Sequence, residues 1–179
     1  MRKFFFLLGL AGFISSCNNG AAKTEAATDT VAAKTEVALP YTASYSSSFQ
    51  MGNPEHSAMI LQGSWKDWEM NTMDNMKSWV ADTVTVYHSD NTVVKGVDSL
   101  TARWKRGRAK YSAVSTTIDA VMPVYSTDQN ENWVLVWATE VDTELSGKKD
   151  TTYVMETWRI NKDNKADLLY QHDRATRKK

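Results

Sequence analysis

The 179-residue chain has little cysteine and no net charge, and both shortages exclude classes of protein. A single cysteine allows no internal disulfide and therefore no scaffold built on disulfides. Basic and acidic residues number 21 each, so no excess of positive charge indicates a nucleic-acid-binding face. The three histidines are far apart and show no metal-ligand spacing, and no glycine-rich phosphate loop occurs. We therefore expect no metal, no cofactor and no nucleic-acid partner.

Long hydrophobic runs are also lacking, and the one apolar run lies near the N-terminus. Arg2 and Lys3 precede apolar residues 4–14, which are too few to span a bilayer and are typical of a signal peptide, assigned to residues 1–16. Small residues before the single cysteine, Cys17, resemble a bacterial lipobox. We expect lipidation of Cys17 and a location in the cell envelope, on a membrane leaflet that the sequence does not specify. Ordinary cleavage nearby is the alternative.

Residues 17–50 contain almost no large apolar side chains until Leu39. The sequence AAKTE occurs twice, at 21–25 and at 32–36, which is low complexity rather than a structural repeat. Such a segment buries too little surface to offset its ordering entropy. It predicts a flexible tether before a domain at 51–175, and the basic residues 176–179 predict a solvated tail.

The rest of the chain has the composition of one globular domain, since 42% of all residues are apolar and seven are tryptophan. A strand is predicted from Thr83 to His88, because apolar and polar residues alternate with period two. Val84, Val86 and His88 share one of its sides. A turn at 89–91 then leads into a short second strand.

Helices and further strands complete an α+β pattern. Asn53 and Pro54 predict a helix start, and that helix should continue to about Asn71. A short second helix is expected from Asp74 to Trp79, and a third helix follows Gly96, with Asp98 as its expected N-cap. Short polar loops separate four later strand segments, which should be antiparallel neighbours with the second of them central. These four segments are 114–125, 133–145, 151–161 and 166–174.

Several basic residues lie on the helix after Gly96: Arg103, Lys105, Arg106, Arg108 and Lys110. A solvated helix face is the favoured interpretation, and an anion site is the alternative.

The order of elements, with MKSWVADTVTVYHSDNTVVKGVDSLTARW and TYVMETWRINKDNKADLLYQHDRA, resembles the nuclear transport factor 2-like superfamily. The SnoaL-like cyclases and ketosteroid isomerases are the most similar group. The resemblance implies a strongly curved antiparallel or mixed sheet wrapped round the N-terminal helices, as a cone-shaped α+β barrel with a pocket. It also implies that a homodimer through the outer sheet face is an open alternative.

The resemblance further implies that pocket residues come from the first helix, the first strand, the helix after Gly96 and the inner faces of the late strands. His88 is the first candidate for catalysis, because its ordinary pKa of about 6.5 suits it as acid or base. A histidine buried in the core is the alternative. The carboxyl candidates are Glu140, Glu156 and Asp173, each of which could instead point outward to water.

Aromatic side chains on these elements are the candidates for binding an apolar or flat ligand, with plain core packing as the alternative. They are Trp65, Trp104, Trp137 and Trp158, together with Tyr170 and His172 from the last strand. The tyrosine expected of a ketosteroid isomerase is missing, since no tyrosine lies between His56 and Trp79.

Three hypotheses for function follow, in this order. The first is a lipid-anchored domain that binds a small apolar or amphipathic molecule in an aromatic pocket. The second is a cofactor-independent isomerase, cyclase or hydratase that uses His88 and a late-strand carboxylate. The third is a pocketless interaction or dimerisation domain. The sequence leaves open whether the protein is an enzyme.

Overall fold

A computed structural model of the chain describes residues 40–175. The predicted signal peptide, Cys17, most of the tether and the tail at 176–179 lie outside the described residues. Within residues 40–175, every helix is too short or too polar to cross a membrane.

The described chain folds into short helices and one sheet. The helical segments are α1 (Pro54–Ile60), a π-helical turn (Leu61–Lys66), α2 (Asp67–Met70), a 3-10 turn (Met73–Asn75), α3 (Met76–Trp79) and α4 (Val97–Arg108). The strands are β1 (Phe49–Met51), β2 (Val80–Tyr87), β3 (Val93–Lys95), β4 (Tyr111–Ser126), β5 (Glu131–Glu144), β6 (Lys149–Ile160) and β7 (Ala166–Ala175).

The first helix starts and ends where the sequence predicts. The Asn53 side chain accepts a hydrogen bond from the Glu55 N–H at 3.0 Å, and Asn71 closes α2 with a φ of 58°. The π-helical turn in between widens the helix, a feature often found at functional sites. In this turn Gly63 lies under the Trp79 ring so closely that a Cβ would meet Trp79 Cε2 at 2.4 Å. The missing side chain therefore lets α3 pack on the first helix.

The N-cap of α4 differs from the prediction. Gly96 caps the helix with a φ of 85°, a conformation that glycine adopts without steric cost, whereas Asp98 lies in the first turn. Asp98 instead forms an ion pair with Lys77 at 2.8 Å. The prediction of Asp98 as N-cap was wrong because glycine allows the chain to enter the helix two residues earlier.

The sheet has seven strands in the order β1-β4-β5-β6-β7-β2-β3. Strands β4 to β7 are antiparallel neighbours, β2 runs parallel to β7, and β5 is central, so the predicted meander is confirmed. Register shifts in β4 near Ala113 and Ala120 are β-bulges, which bend a sheet. The predicted α+β class with a curved mixed sheet is confirmed, and this sheet is open rather than closed into a barrel.

The chain already contacts the sheet within the last residues assigned to the tether. Strand β1 pairs with the end of β4, with Phe49 opposite Ser126. Upstream of β1, the Tyr45 hydroxyl donates a hydrogen bond to Glu131, and its ring packs edge-on against Trp133 at 6.3 Å between centroids. Residues 45–50 therefore join the domain instead of leading to it.

The core lies between the helices and the inner sheet face. Trp158 of β6 is fully buried at its centre and meets the rings of Trp79 and Trp104 at 5.5 and 6.2 Å. Val84 and Val86 of β2 are buried while Tyr87 is exposed, which confirms the predicted alternation of this strand. The same alternation directs His88 to the side of the strand that faces the core.

Candidate functional site

A cavity of about 510 Å³ lies between the helices and the inner sheet face. Its floor comes from β5, β6 and β7, and its sides come from the π-helical turn, α2, α4 and the end of β2. The residues that line it are Ser64, Trp65, Trp68, His88, Asp90, Arg103, Trp104, Arg106, Gly107, Lys110, Glu140, Val154, Glu156 and Gln171. Two predicted catalytic carboxyls and His88 therefore share one cavity.

His88 is held by a neighbour on the inner face of β7. Its Nδ1 lies 3.0 Å from Gln171 Oε1, although the two residues are 83 positions apart in the sequence. Its Nε2 is buried and has no hydrogen-bond partner among the described residues. Nδ1 is therefore hydrogen-bonded to the protein, and Nε2 can still form a hydrogen bond with another group.

Glu156 of β6 accepts the hydrogen bonds that organise the floor of the cavity. Its carboxylate accepts from Ser64 Oγ at 3.0 Å, from Trp158 Nε1 at 2.8 Å and from Gln171 Nε2 at 3.2 Å. Burial raises the pKa of Glu156, and these three donors oppose that rise because they favour the ionised form. The carboxyl is therefore a fixed acceptor under the cavity.

These bonds determine the tautomer of His88. In its ionised form Glu156 can only accept, so the amide nitrogen of Gln171 then faces Glu156 and its amide oxygen faces His88. An amide oxygen cannot donate, so Nδ1 of His88 must carry the proton. In the neutral ring Nε2 then holds a lone pair, which is the arrangement of a general base.

Burial keeps the His88 ring neutral. Loss of solvent lowers the pKa of His88, and the bond to Gln171 offsets this only in part. The positive charge of Arg103 lowers the pKa further, whereas the negative charge of Asp90 raises it. His88 is therefore uncharged at neutral pH.

Glu140 of β5 keeps its acidic proton, whereas His88 has a nitrogen without one. Burial is the main cause that raises its pKa to about 8, and the negative charges of Asp142 and Glu156 add to the rise. The Trp68 side chain lies beside it and opposes the shift. At neutral pH Glu140 therefore carries its proton and can donate it. The cavity therefore contains a histidine whose pKa is lowered and a carboxyl whose pKa is raised. Such a pair of opposite shifts is typical of acid–base sites.

The predicted tryptophans take different places. Trp65 and Trp104 line the cavity, and the buried Trp65 Nε1 has no partner among residues 40–175. Trp68, which was not predicted as a site residue, lines it as well and meets Trp104 edge-on at 6.2 Å. Trp158 lies beneath the cavity in the core and contributes by donating to Glu156.

Three predicted site residues lie on the outer sheet face instead: Trp137, Tyr170 and His172. Trp137 and His172 both pair with Met155 of β6 and therefore share its face, where a shallow depression contains them. Asp173 pairs with Val154 and so has the parity of Gln171, but it is exposed and does not line the cavity. Tyr170 stacks on Tyr87 with centroids 5.1 Å apart. The structure does not bring these residues to the cavity, because alternation along β7 directs Tyr170 and His172 away from Leu169 and Gln171.

Gln171 is the most informative residue that the sequence analysis missed. The period-two rule alone places it on the face opposite Tyr170 and His172, and hence beside Leu169 in the core. Ser64 carried no comparable signal, because its position depends on the π-helical turn. Among residues 40–175, no group of three metal-ligating side chains comes together.

Comparison with known proteins gives the fold and little else. No family model matches the chain. No curated protein matches it either.

Solved structures do match, at low identity. A candidate SnoaL-like polyketide cyclase from Shewanella denitrificans is 12% identical with a TM-score of 0.56, over 68% of this chain and 92% of that one. A candidate scytalone dehydratase from Novosphingobium aromaticivorans is 13% identical with a TM-score of 0.55, over 68% of this chain and 81% of that one. A Mycobacterium tuberculosis protein in complex with estradiol-17β-hemisuccinate is 14% identical with a TM-score of 0.52, over 65% and 92%. The chain therefore has the nuclear transport factor 2-like fold, as its sequence pattern predicted.

Proposed function

We propose that the protein binds a small organic molecule in its cavity and catalyses proton transfer on it without a cofactor. The observation that carries this proposal is the presence in one cavity of a neutral His88 with a lone pair on Nε2 and a protonated Glu140. The sequence shows no clear acid–base set and therefore favours binding without catalysis. The hydrogen-bonded series His88–Gln171–Glu156 in the cavity favours catalysis.

The chemistry that these groups support is proton abstraction next to a carbonyl. His88 Nε2 takes a proton from the carbon, and the electron pair moves onto the carbonyl oxygen. Glu140 donates a hydrogen bond to that oxygen as its charge develops. The proton then returns from His88 to another carbon, the enolate carbon attacks a second carbonyl of the same molecule and closes a ring, or a β-hydroxyl takes the proton from His88 and leaves as water. These outcomes correspond to an isomerase, a cyclase or a dehydratase, and proteins of the same fold are described as a cyclase and a dehydratase.

The walls of the cavity support a flat, largely apolar ligand. Trp65, Trp68 and Trp104 surround it without filling it, which disfavours the pocketless alternative. Edges and faces of such rings bind planar molecules well. A protein of this fold has been solved with an estradiol derivative, which is a ligand of this shape.

The test uses the full-length protein and β-tetralone, a flat ketone with acidic hydrogens next to its carbonyl. Deuterium uptake from D₂O, followed by proton NMR, should exceed the background rate. In His88→Gln the uptake should fall by about 10²-fold or more, the usual contribution of a general base. His172→Gln is the matched control, because that ring lies on the outer face, and its rate should be unchanged.

The outcomes separate the two leading hypotheses. Equal rates for the wild-type protein and His88→Gln would contradict proton transfer. If β-tetralone also shifts the indole signals of Trp65 and Trp104, the protein is a binding module. With neither uptake nor shifts, the proposal fails for this class of ketone.

We also propose that the protein is anchored in the cell envelope through lipid on Cys17, with residues 18–44 as the spacer. The lipobox pattern and the single cysteine support this address. Wild-type protein should partition into detergent and Cys17→Ser should remain in the aqueous phase; equal partitioning would argue against the anchor. A homodimer stays a prediction, to be checked by the molar mass in solution.

A further inference from the structure

Helix α4 places its basic residues in three different environments. Arg108 is buried, and its guanidinium donates to the backbone oxygens of Trp68, Glu69 and Tyr111. Lys105 forms an ion pair with Asp74 and does not line the cavity. Arg103, Arg106 and Lys110 do line the cavity.

The cavity-lining residues form one stripe. Arg103, Arg106, Gly107 and Lys110 follow at intervals of three and four, which is the spacing of one helix face continued just past its end. A Cβ at Gly107 would make an ordinary contact of 3.4 Å with the Trp68 ring, so this ring lies against the stripe. Basic side chains and a tryptophan ring therefore meet at the same edge of the cavity.

Two of the three cations have no carboxylate to neutralise them. Arg103 pairs with Asp90 at 2.8 Å. Within residues 40–175, neither Arg106 nor Lys110 has a carboxylate oxygen within 4.0 Å. The C-terminus of α4 favours positive charge nearby, but this effect does not require the side chains to line a cavity.

We infer that the ligand of this cavity is an organic anion: its flat apolar body lies among the tryptophans, and its acidic group lies at the mouth against Arg106 and Lys110. This inference rests on the proposed ligand cavity and adds the charge class of the ligand. Arginine and lysine both donate charge-assisted hydrogen bonds to carboxylates, and arginine can do so with two parallel bonds.

The acidic groups inside the cavity do not oppose this assignment. Burial raises the pKa of Glu140 to about 8, so this side chain is uncharged at neutral pH. Glu156 lies at the floor of the cavity and is occupied by its three donors. Asp90 is paired with Arg103. The charge that a ligand meets at the mouth is therefore positive.

The test compares 2-naphthoate with 2-naphthamide, which have the same rings and differ in charge. Binding to the full-length protein is measured by calorimetry at low and at moderate salt. We expect naphthoate to bind about tenfold more tightly, as two partly exposed ion pairs allow, and this preference to shrink as salt rises. The double variant R106Q/K110Q should lose the preference while its affinity for naphthamide stays unchanged.

K105Q is the matched control, because it removes a charge from the same helix outside the cavity and should keep the full preference. Equal affinities of the wild-type protein for both compounds would overturn the charge assignment and leave the ligand cavity standing. A preference that survives in R106Q/K110Q would overturn the role of these two residues. If neither compound binds, the charge assignment and the aromatic ligand cavity fail together.

Discussion

The two faces of the sheet are built by the same strands and differ in what happens to their polar side chains. On the inner face, Glu156 and Gln171 are adjacent partners and connect His88 to the buried Ser64. On the outer face, Tyr170 and His172 are exposed to solvent. Water can replace any bond on the outer face, whereas an unpaired buried group pays its full desolvation cost. Shifted pKa values and a defined tautomer therefore arise on the inner face.

The largest effect should come from Glu156→Gln. The oxygen of the new amide must face the donors Ser64 and Trp158, so its nitrogen faces Gln171. Gln171 must then turn its own oxygen to residue 156 and its nitrogen to His88. Nδ1 of His88 then becomes the acceptor and Nε2 carries the proton, which removes the base from the cavity. Exchange of β-tetralone hydrogens should fall by about 10²-fold, and the ¹⁵N shifts of the ring should report the change of tautomer.

Asp173→Asn makes the same carboxyl-to-amide change at a solvent-exposed position. It should alter neither the rate nor the ¹⁵N shifts of His88, because the residue accepts a bond from Ser89 at the surface. If Glu156→Gln left the tautomer of His88 unchanged, the series from Glu156 to His88 would not control it.

A smaller effect is expected from Gln171→Leu. Leucine has a similar volume but cannot bond, so His88 Nδ1 loses its acceptor and Glu156 loses one donor. We expect a loss of about 1–3 kcal/mol in the free energy of unfolding, measured with urea. His172→Leu changes the next residue of β7 and should stay within about 0.5 kcal/mol of the wild type. Similar losses in both variants would mean that the two faces do not differ in this way.

The smallest effect concerns the pH dependence of stability. The pKa of Glu140 is about 8 in the folded chain, above its ordinary value of 4.5, so the folded state holds the proton more tightly. Its contribution is therefore complete below about pH 4.5 and is lost as the pH rises through about 8. The groups that face it are Asp142, Glu156 and Trp68.

Urea unfolding between pH 5 and pH 9 measures this slope. The stability of Glu140→Gln should depend less on pH than that of the wild type, while Asp173→Asn, at an exposed position, should keep the wild-type slope. A wild-type slope in Glu140→Gln would show that Glu140 titrates as an ordinary surface acid.

Much of the fold could be predicted because its signals are local. Asn53 and Pro54 start a helix through their own backbone chemistry, and the short polar loops after residues 126 and 144 leave neighbouring strands no alternative to antiparallel pairing. The N-cap at Gly96 and the strand Phe49–Met51 were missed. A strand of three residues has too short a pattern to detect, and its pairing depends on the distant end of β4.

The site could be predicted only in part. His88, Glu140 and Glu156 were found because titratable residues stand out in apolar strands. Trp137, Tyr170 and His172 were placed with them because alternation shows which residues share a face but not which face is inner. The inner face of β7 is determined by its parallel pairing with β2, where Leu169 lies opposite Val86.

The sequence by itself determined the elements, the strand alternation and the aromatic core, since these depend on residues a few positions apart. Only the tertiary structure decided that His88, Gln171 and Glu156 are joined, and that the exposed Arg106 and Lys110 also line a cavity. These contacts connect positions up to 83 residues apart. They exist because the bent sheet and the packed helices enclose the same space, which no local pattern encodes.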